Sequence, residues 1–354
     1  MTVIAAVESV LAENRYTQGE ITDAVVRALD EPRREPLLRR LHGNTSVRHR
    51  HLALPLAEYA NIDDFGAANR LFIEVGTALA ETAFCRAIER AGLAPSDVDM
   101  VMSTTVTGVV TPSLEALLAN RVGLRPDVKR IPLFGLGCVA GAAGVARMHD
   151  FLRNDPDAVA VLLSVELCSL TVQTGDDSTA NLIASGLFGD GSSAVVMVGD
   201  RRAERLPASA SHVRVIDSRS HLYPRSERTM GWDVGQDGLK IVLGAEVPEL
   251  VERYIAADVE ALLAAHGLGI ADVVTWVCHP GGPKVMDAIE SALQLEDGAL
   301  DVSRRSLADV GNLSSSSVLR ILRDTIALQP PSGTPGVMLA MGPGFCSESV
   351  LLTW

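Results

Sequence analysis

Cys138 stands where a thiol could act as a nucleophile. It follows Gly135-Leu136-Gly137 and opens a run of small residues, Val139-Ala140-Gly141-Ala142-Ala143-Gly144. A thiol at a helix N-terminus sits at the positive end of the macrodipole, which favours thiolate. On that ground we expect its pKa below the ordinary thiol value. Glycines before it permit a sharp turn, and small residues after it let the helix lie deep in a core. The same features fit a buried structural cysteine, the usual state of a lone one.

His279 follows a mostly apolar run, Val273 to Val277, and precedes Pro280-Gly281-Gly282-Pro283. A rigid loop poor in side chains leaves room for a substrate beside the imidazole. The ordinary alternative is a capped surface histidine. Asn312 lies in Gly311-Asn312-Leu313-Ser314-Ser315. By itself it reads as a helix N-cap, a position asparagine favours. Together the three could do more. A thiolate can carry an acyl chain as a thioester. An imidazole and a carboxamide can supply donors to an enolate, or to the oxyanion of a tetrahedral intermediate.

Alternating strands and helices must position these groups. Thr17 and Glu20 form a capping box ahead of a helix reaching about Leu29. Helical spacing predicts further helices over 67–91 (stopped by Gly92), 139 to about 151, 247–266 and 307–328, the last interrupted at Gly311-Asn312. Apolar runs predict strands over 99–105, 130–134, 158–165, 193–198, 273–278, 337–340 and 349–354. The run at 158–165 is nearly continuous, as expected where both faces of a sheet are covered. This is an α/β pattern. The polar stretch Arg201–Ser211 divides it into a half over 1–210, with the cysteine, and a half over 211–354, with the histidine and asparagine.

Composition narrows the class. The chain has 354 residues and a net charge of -13, with 44 acidic against 31 basic side chains. That balance argues against a nucleic-acid partner, which demands basic surface. The N-terminal residues lack the basic start and apolar run of a signal peptide. No apolar stretch approaches the ~20 residues needed for stable membrane insertion. Five scattered cysteines, Cys85, Cys138, Cys168, Cys278 and Cys346, show no zinc-ligand spacing. They read as reduced thiols of a cytoplasmic protein without a metal site.

Five blocks, in order, resemble the type III polyketide synthases, the chalcone synthase family. They are Gly135 to Gly141, Leu187-Phe188-Gly189-Asp190-Gly191, Cys278 to Lys284, Gly311 to Ser315, and Gly342-Pro343-Gly344-Phe345. The resemblance runs from about Arg39 to Trp354. It implies a thiolase-like fold of two similar αβα halves in five layers, αβαβα. It also implies a homodimer, with acyl-CoA and malonyl-CoA as substrates and no metal or redox cofactor. Cys138 would be the nucleophile, and His279 and Asn312 would stabilise the malonyl-derived enolate.

The same resemblance implies Phe188 as a gatekeeper, with Ile241 where a second gatekeeper Phe is usual. It puts Val106, Thr107, Cys168, Leu170, Thr171 and Ser314 in the cavity wall, with the Gly342-Pro343-Gly344 turn beside them. Arg40, Gly281 and Gly282 would meet CoA, while Asn44 stands where a lysine is usual. Ile241 suggests a wider or more aliphatic pocket, and the block Glu166 to Thr171, with Cys168, the run Met230-Gly231-Trp232-Asp233 and the ending Gly344 to Glu348 resemble bacterial members that take fatty acyl starters. An alkylpyrone or alkylresorcinol product is therefore the first expectation. The alternatives are a malonyl-primed tetrahydroxynaphthalene synthase and a ketoacyl-carrier-protein synthase III-like enzyme. Tetrahydroxynaphthalene synthases usually carry a cysteine where this chain has Val106. A catalytically dead scaffold of the same fold is a further possibility, against which the retained triad speaks.

Overall fold

Strands with no hydrophilic face dominate the molecule. In a computed structural model describing residues 1–29, 32–173 and 175–354, Val159–Leu167 and Asp190–Gly199 are buried at every position. Such strands require cover on both faces. In chain order the strands are Thr2–Leu11 (β1), Asn14–Thr17 (β2), His49–Leu52 (β3), Met100–Thr105 (β4), Lys129–Phe134 (β5), Val159–Leu167 (β6), Asp190–Gly199 (β7), Val213–Leu222 (β8), Met230–Gly235 (β9), Gly238–Leu243 (β10), Thr275–Cys278 (β11), Pro335–Gly342 (β12) and Cys346–Thr353 (β13).

Nine strands hydrogen-bond in the order β11-β12-β13-β8-β1-β7-β6-β4-β5. The order contains a repeat. From β1 outward the pairings run antiparallel to β7, antiparallel to β6 and parallel to β4. From β8 outward they run antiparallel to β13, antiparallel to β12 and parallel to β11. The two sets meet where β1 pairs with β8 over a short register, Thr2↔Val215 to Ile4↔Val213. The helix Phe65–Arg90 covers β1, β6 and β7 on one outside, and Val247–Ala264 covers β8 and β13 on the other. Between the sets lie the helices Ala140–Asn154 and Ser315–Ala327, each touching strands of both. Val145, Ala146, Val318, Leu319 and Leu322 pack there with Leu162, Met338 and Ala340, all essentially inaccessible. This is the five-layered, thiolase-like arrangement.

Most expected elements form within a few residues of their predicted bounds. The Thr17–Glu20 capping box is present and starts Gln18–Ala28. One helix is corrected: 307–328 is two helices, Asp301–Val310 and Ser315–Ala327. The break is real because Gly311 adopts φ 74° and Ser314 φ 50°, values no helix contains.

Gly141 shows why the middle layer needs small residues. A Cβ there would meet the Ser315 carbonyl oxygen at 2.3 Å and Val318 Cγ1 at 2.6 Å. The two central helices approach closely only because this side chain is missing.

Candidate active site

The repeat brings the three candidate residues together. Cys138 lies in the turn Gly137–Val139 that leads into one central helix. Asn312 lies in the loop that leads into the other. His279 follows β11, and its main-chain N–H donates to Leu339 O of β12 at 2.8 Å. All three are buried and line one cavity of about 490 Å³. Gly137 makes the nucleophile's turn: its φ is 54°, and a Cβ would meet Pro343 Cδ at 2.7 Å.

Asn312 serves two purposes, which merges its two sequence readings. Its Oδ1 accepts from Ser314 N at 2.8 Å and Ser317 Oγ at 3.4 Å, tying down the strained backbone ahead of the helix. Its main chain is fixed by Asn312 N to Leu187 O and by Gly189 N to Asn312 O, both 2.9 Å. With the carbonyl side occupied, Nδ2 faces the site, 3.5 Å from His279 Nε2. Two donors at that separation can share one acceptor oxygen placed between them, the geometry an oxyanion needs. Cys138 Sγ lies 3.7 Å from Ser314 Oγ.

Burial governs the resting charges. It pushes the Cys138 thiol up to about 12, partly offset by the Ser314 and Asn312 contacts. It pushes His279 down to about 3. His279 Nδ1 has no hydrogen-bond partner among the described residues to hold a charge. The depressed thiol pKa expected from the helix N-terminus is therefore opposed by a larger effect, desolvation. The resting pair is a neutral thiol beside a neutral imidazole.

Glu166, at the end of β6, is fully buried. Its carboxylate accepts from Ser315 Oγ, from Val106 N at 3.1 Å and from Thr107 Oγ1 at 3.1 Å. It cross-links the loop after β4 to the loop of Asn312. Burial raises its pKa against these hydrogen bonds, and its charge raises that of Cys138.

Val106, Thr107, Cys168, Thr171, Phe188, Ile241, Gly281, Gly282, Ser314 and Pro343 also line the 490 Å³ cavity. Leu170 lines a second cavity behind it. Gly342 backs the nucleophile's turn, where a Cβ would meet Leu136 O at 2.6 Å and Val139 N at 2.7 Å. Gly344 lies against Leu222, outside the cavity wall. Arg40 is exposed on the helix Glu35–Gly43 and does not line the cavity, whereas Leu41 and Asn44 of that helix do. Sequence reasoning missed the apolar wall formed by Leu243, Val247 and Met341, beside Phe345 of the Gly342–Phe345 block. No motif marks it, because such residues look like any core.

A thiol, an imidazole and a carboxamide, meeting in a largely apolar cavity between two αβα halves, define a thiolase-fold acyl-transferring enzyme. Residues 2–201 match the family described as chalcone and stilbene synthases, N-terminal domain, and residues 215–353 match its C-terminal domain. The chain belongs to the chalcone synthase family and is a type III polyketide synthase of bacterial kind.

It is 52% identical over 355 aligned positions to a 1,3,6,8-tetrahydroxynaphthalene synthase of Streptomyces peucetius subsp. caesius, covering 100% of this chain and 93% of that one. It is 33% identical to a putative chalcone synthase of Bacillus subtilis, covering 88% and 87%. The crystal structure of 1,3,6,8-tetrahydroxynaphthalene synthase from Streptomyces coelicolor A3(2) superposes with a TM-score of 0.92 at 30% identity, covering 99% of each chain.

Proposed function

We propose that this enzyme condenses malonyl-CoA units alone into 1,3,6,8-tetrahydroxynaphthalene. One observation carries the reading: 52% identity across the whole chain to a synthase of that product. A cavity of about 490 Å³ lies within the ~300–1,000 Å³ range of small-molecule sites. The sequence put a fatty acyl starter first, and Val106 departs from the usual cysteine of tetrahydroxynaphthalene synthases. Whole-chain similarity outweighs that single position.

In this reading the Cys138 thiolate attacks the thioester of malonyl-CoA and expels CoA. A further malonyl-CoA loses carbon dioxide, and its enolate oxygen is held between His279 Nε2 and Asn312 Nδ2. The enolate carbon attacks the Cys138 thioester, whose oxyanion the same donors stabilise. Gly281 and Gly282 line the cavity, and the exposed Lys284 beside them suits the CoA phosphates, with Arg40 farther out on its helix. We further propose a homodimer working in the cytoplasm. The edge strand β5 is paired only with β4 and exposes Ile131 (38%) and Phe134 (56%). Among soluble proteins an exposed apolar edge strand invites a partner.

A second reading, an aliphatic acyl-CoA starter, draws on the apolar cavity wall around Ile241 and on the second cavity behind Cys168. Incubating the enzyme with malonyl-CoA alone, then with acetyl- to long-chain acyl-CoA added, and identifying products by mass spectrometry tests both. Malonyl-CoA alone should yield tetrahydroxynaphthalene. No product from malonyl-CoA alone, with pyrones or resorcinols once a long acyl-CoA is added, would replace the first reading by the second.

A further inference from the structure

The second cavity has a volume of about 1130 Å³. It shares a wall with the first that includes Thr107, Cys168, Thr171 and Phe188. Most of its lining is apolar or lies at its mouth. Among the described charged side chains on its wall, Arg27, Asp63, Asp64 and Asp237 are exposed, Asp233 pairs with Arg228, and Asp176 pairs with Lys240.

Arg50 of β3 differs from all of these, being only 2% exposed. Its Nε donates to Gln18 Oε1 at 3.2 Å, and Nη1 donates to the Phe188 carbonyl at 2.9 Å. Its Nη2 is buried without a partner among the described residues. Asp190, the carboxylate with the strongest pull on it, is engaged elsewhere: it accepts from Ala53 N at 2.7 Å, from Ser169 N at 2.9 Å and from Ser169 Oγ. No carboxylate forms an ion pair with Arg50 among the described residues. A buried cation without a counter-anion is costly, and a guanidinium is shaped to take a carboxylate.

We propose that Arg50 receives the free carboxylate at the far end of a malonyl-primed chain growing from Cys138 into the second cavity. The inference rests on the malonyl-priming reading and adds how the starter is chosen. When the Cys138 thiolate displaces CoA from malonyl-CoA, the new bond is the thioester, and the starter keeps its carboxylate. Each extension breaks the carboxyl carbon–carbon bond of an incoming malonyl-CoA only, and the starter's own carboxyl group leaves as carbon dioxide when the finished chain closes to the ten-carbon product. The resulting enolate carbon bonds to the acyl carbon and expels the Cys138 thiolate, and the lengthened chain returns to Cys138 by thioester exchange with CoA. The starter's carboxylate thus moves away from Cys138 at every turn, through the wall at Phe188 and Cys168. An aliphatic starter brings no anion and leaves Arg50 unpaired.

The test compares wild type, Arg50→Gln and Arg50→Lys as full chains, with thermal melting as the control for folding. Intact-mass measurement of Cys138 acylation scores competition between ω-carboxy acyl-CoA (succinyl to adipoyl) and the matching alkyl acyl-CoA. Malonyl-CoA-only turnover is measured in parallel. Wild type should favour the carboxylate-ended starters, and Arg50→Gln should lose that preference about tenfold or more while loading alkyl starters normally. Arg50→Lys should keep part of it, and it serves as the informative variant should the glutamine variant melt early. Equal loss for both starter types, or no preference in wild type, overturns the proposal. A wild type that favours carboxylate-ended starters yet makes no tetrahydroxynaphthalene sinks the product reading and leaves Arg50's role standing.

Discussion

Replacing His279 by glutamine keeps a side-chain donor and removes the base. The consequence for Cys138 can be worked from the burial of both groups. Desolvation lifts the thiol from 9.0 to about 12, which at ~1.4 kcal/mol per pKa unit is about 4 kcal/mol against thiolate. A neighbouring imidazolium ~4 Å away, at an effective dielectric of ~20, would return roughly 4 kcal/mol, and the helix N-terminus ~0.3–1 kcal/mol, but burial lowers His279 from 6.5 to about 3, so charging it costs about 5 kcal/mol more. The pair therefore rests neutral, and thiolate forms as the thiol's proton passes to His279 during attack on the electrophile. The sign follows: without the imidazole to take that proton, Cys138 reacts more slowly at pH values below its own pKa of about 12.

The assay is the pH dependence of inactivation by iodoacetamide, with the label located by mass spectrometry and exposed Cys85 as internal reference. His279→Gln should slow Cys138 labelling by ~10²–10⁴ at pH values below the thiol's own pKa, the usual worth of a positioned base. Cys85 should be unmoved. Equal Cys138 labelling rates in wild type and variant at every pH would refute the base argument and leave the helix terminus as the activating feature.

Asn312→Ala should slow carbon dioxide release from malonyl-CoA by ~10²–10³, the usual cost of one oxyanion donor. Unchanged decarboxylation in a folded variant would reduce Asn312 to its capping role. Gly141→Ala should lower the thermal midpoint although alanine is the better helix former by about 1 kcal/mol. The added Cβ meets a backbone oxygen at 2.3 Å, and overpacking of this kind costs ~1–3 kcal/mol. A stabilised variant in calorimetry would contradict the close approach of the two central helices.

How far the sequence could be read depended on whether a residue's neighbours in the chain were also its neighbours in space. The turn at Cys138 was legible because Gly135, Gly137 and Gly141 lie beside it and state the local geometry. The strands β6 and β7 were legible as continuous apolar runs. β1 was not, although it lies at the centre of the sheet: its apolar run Val3–Val7 is short, and a run of that length fits helix or strand equally. β8 was missed because its polar residues, Asp217 to His221, face ion pairs and solvent. The thiol's rising pKa was invisible too. A macrodipole follows from local order, whereas desolvation depends on layers contributed by residues far along the chain.

The repeat in the sheet explains why Cys138 and Asn312 belong to one site although 174 positions separate them. Each lies just before a central helix, Ala140–Asn154 or Ser315–Ala327, and each of those helices precedes the strand that starts an antiparallel pair, β6 and β7 or β12 and β13. Because the helices pack against each other through Gly141 and Ser315, their N-terminal ends meet in the same cavity. In the proposed mechanism the first end carries the residue that becomes an anion, and the second carries the amide that stabilises one. His279, at the end of β11, stands where Thr105 and Val106 stand at the end of β4. On the Cys138 side those β4-end positions are tied to Glu166, and on the other the corresponding place holds an imidazole. The two halves share one architecture. They differ at the ends of equivalent elements, and the proposed catalytic groups lie at those differences.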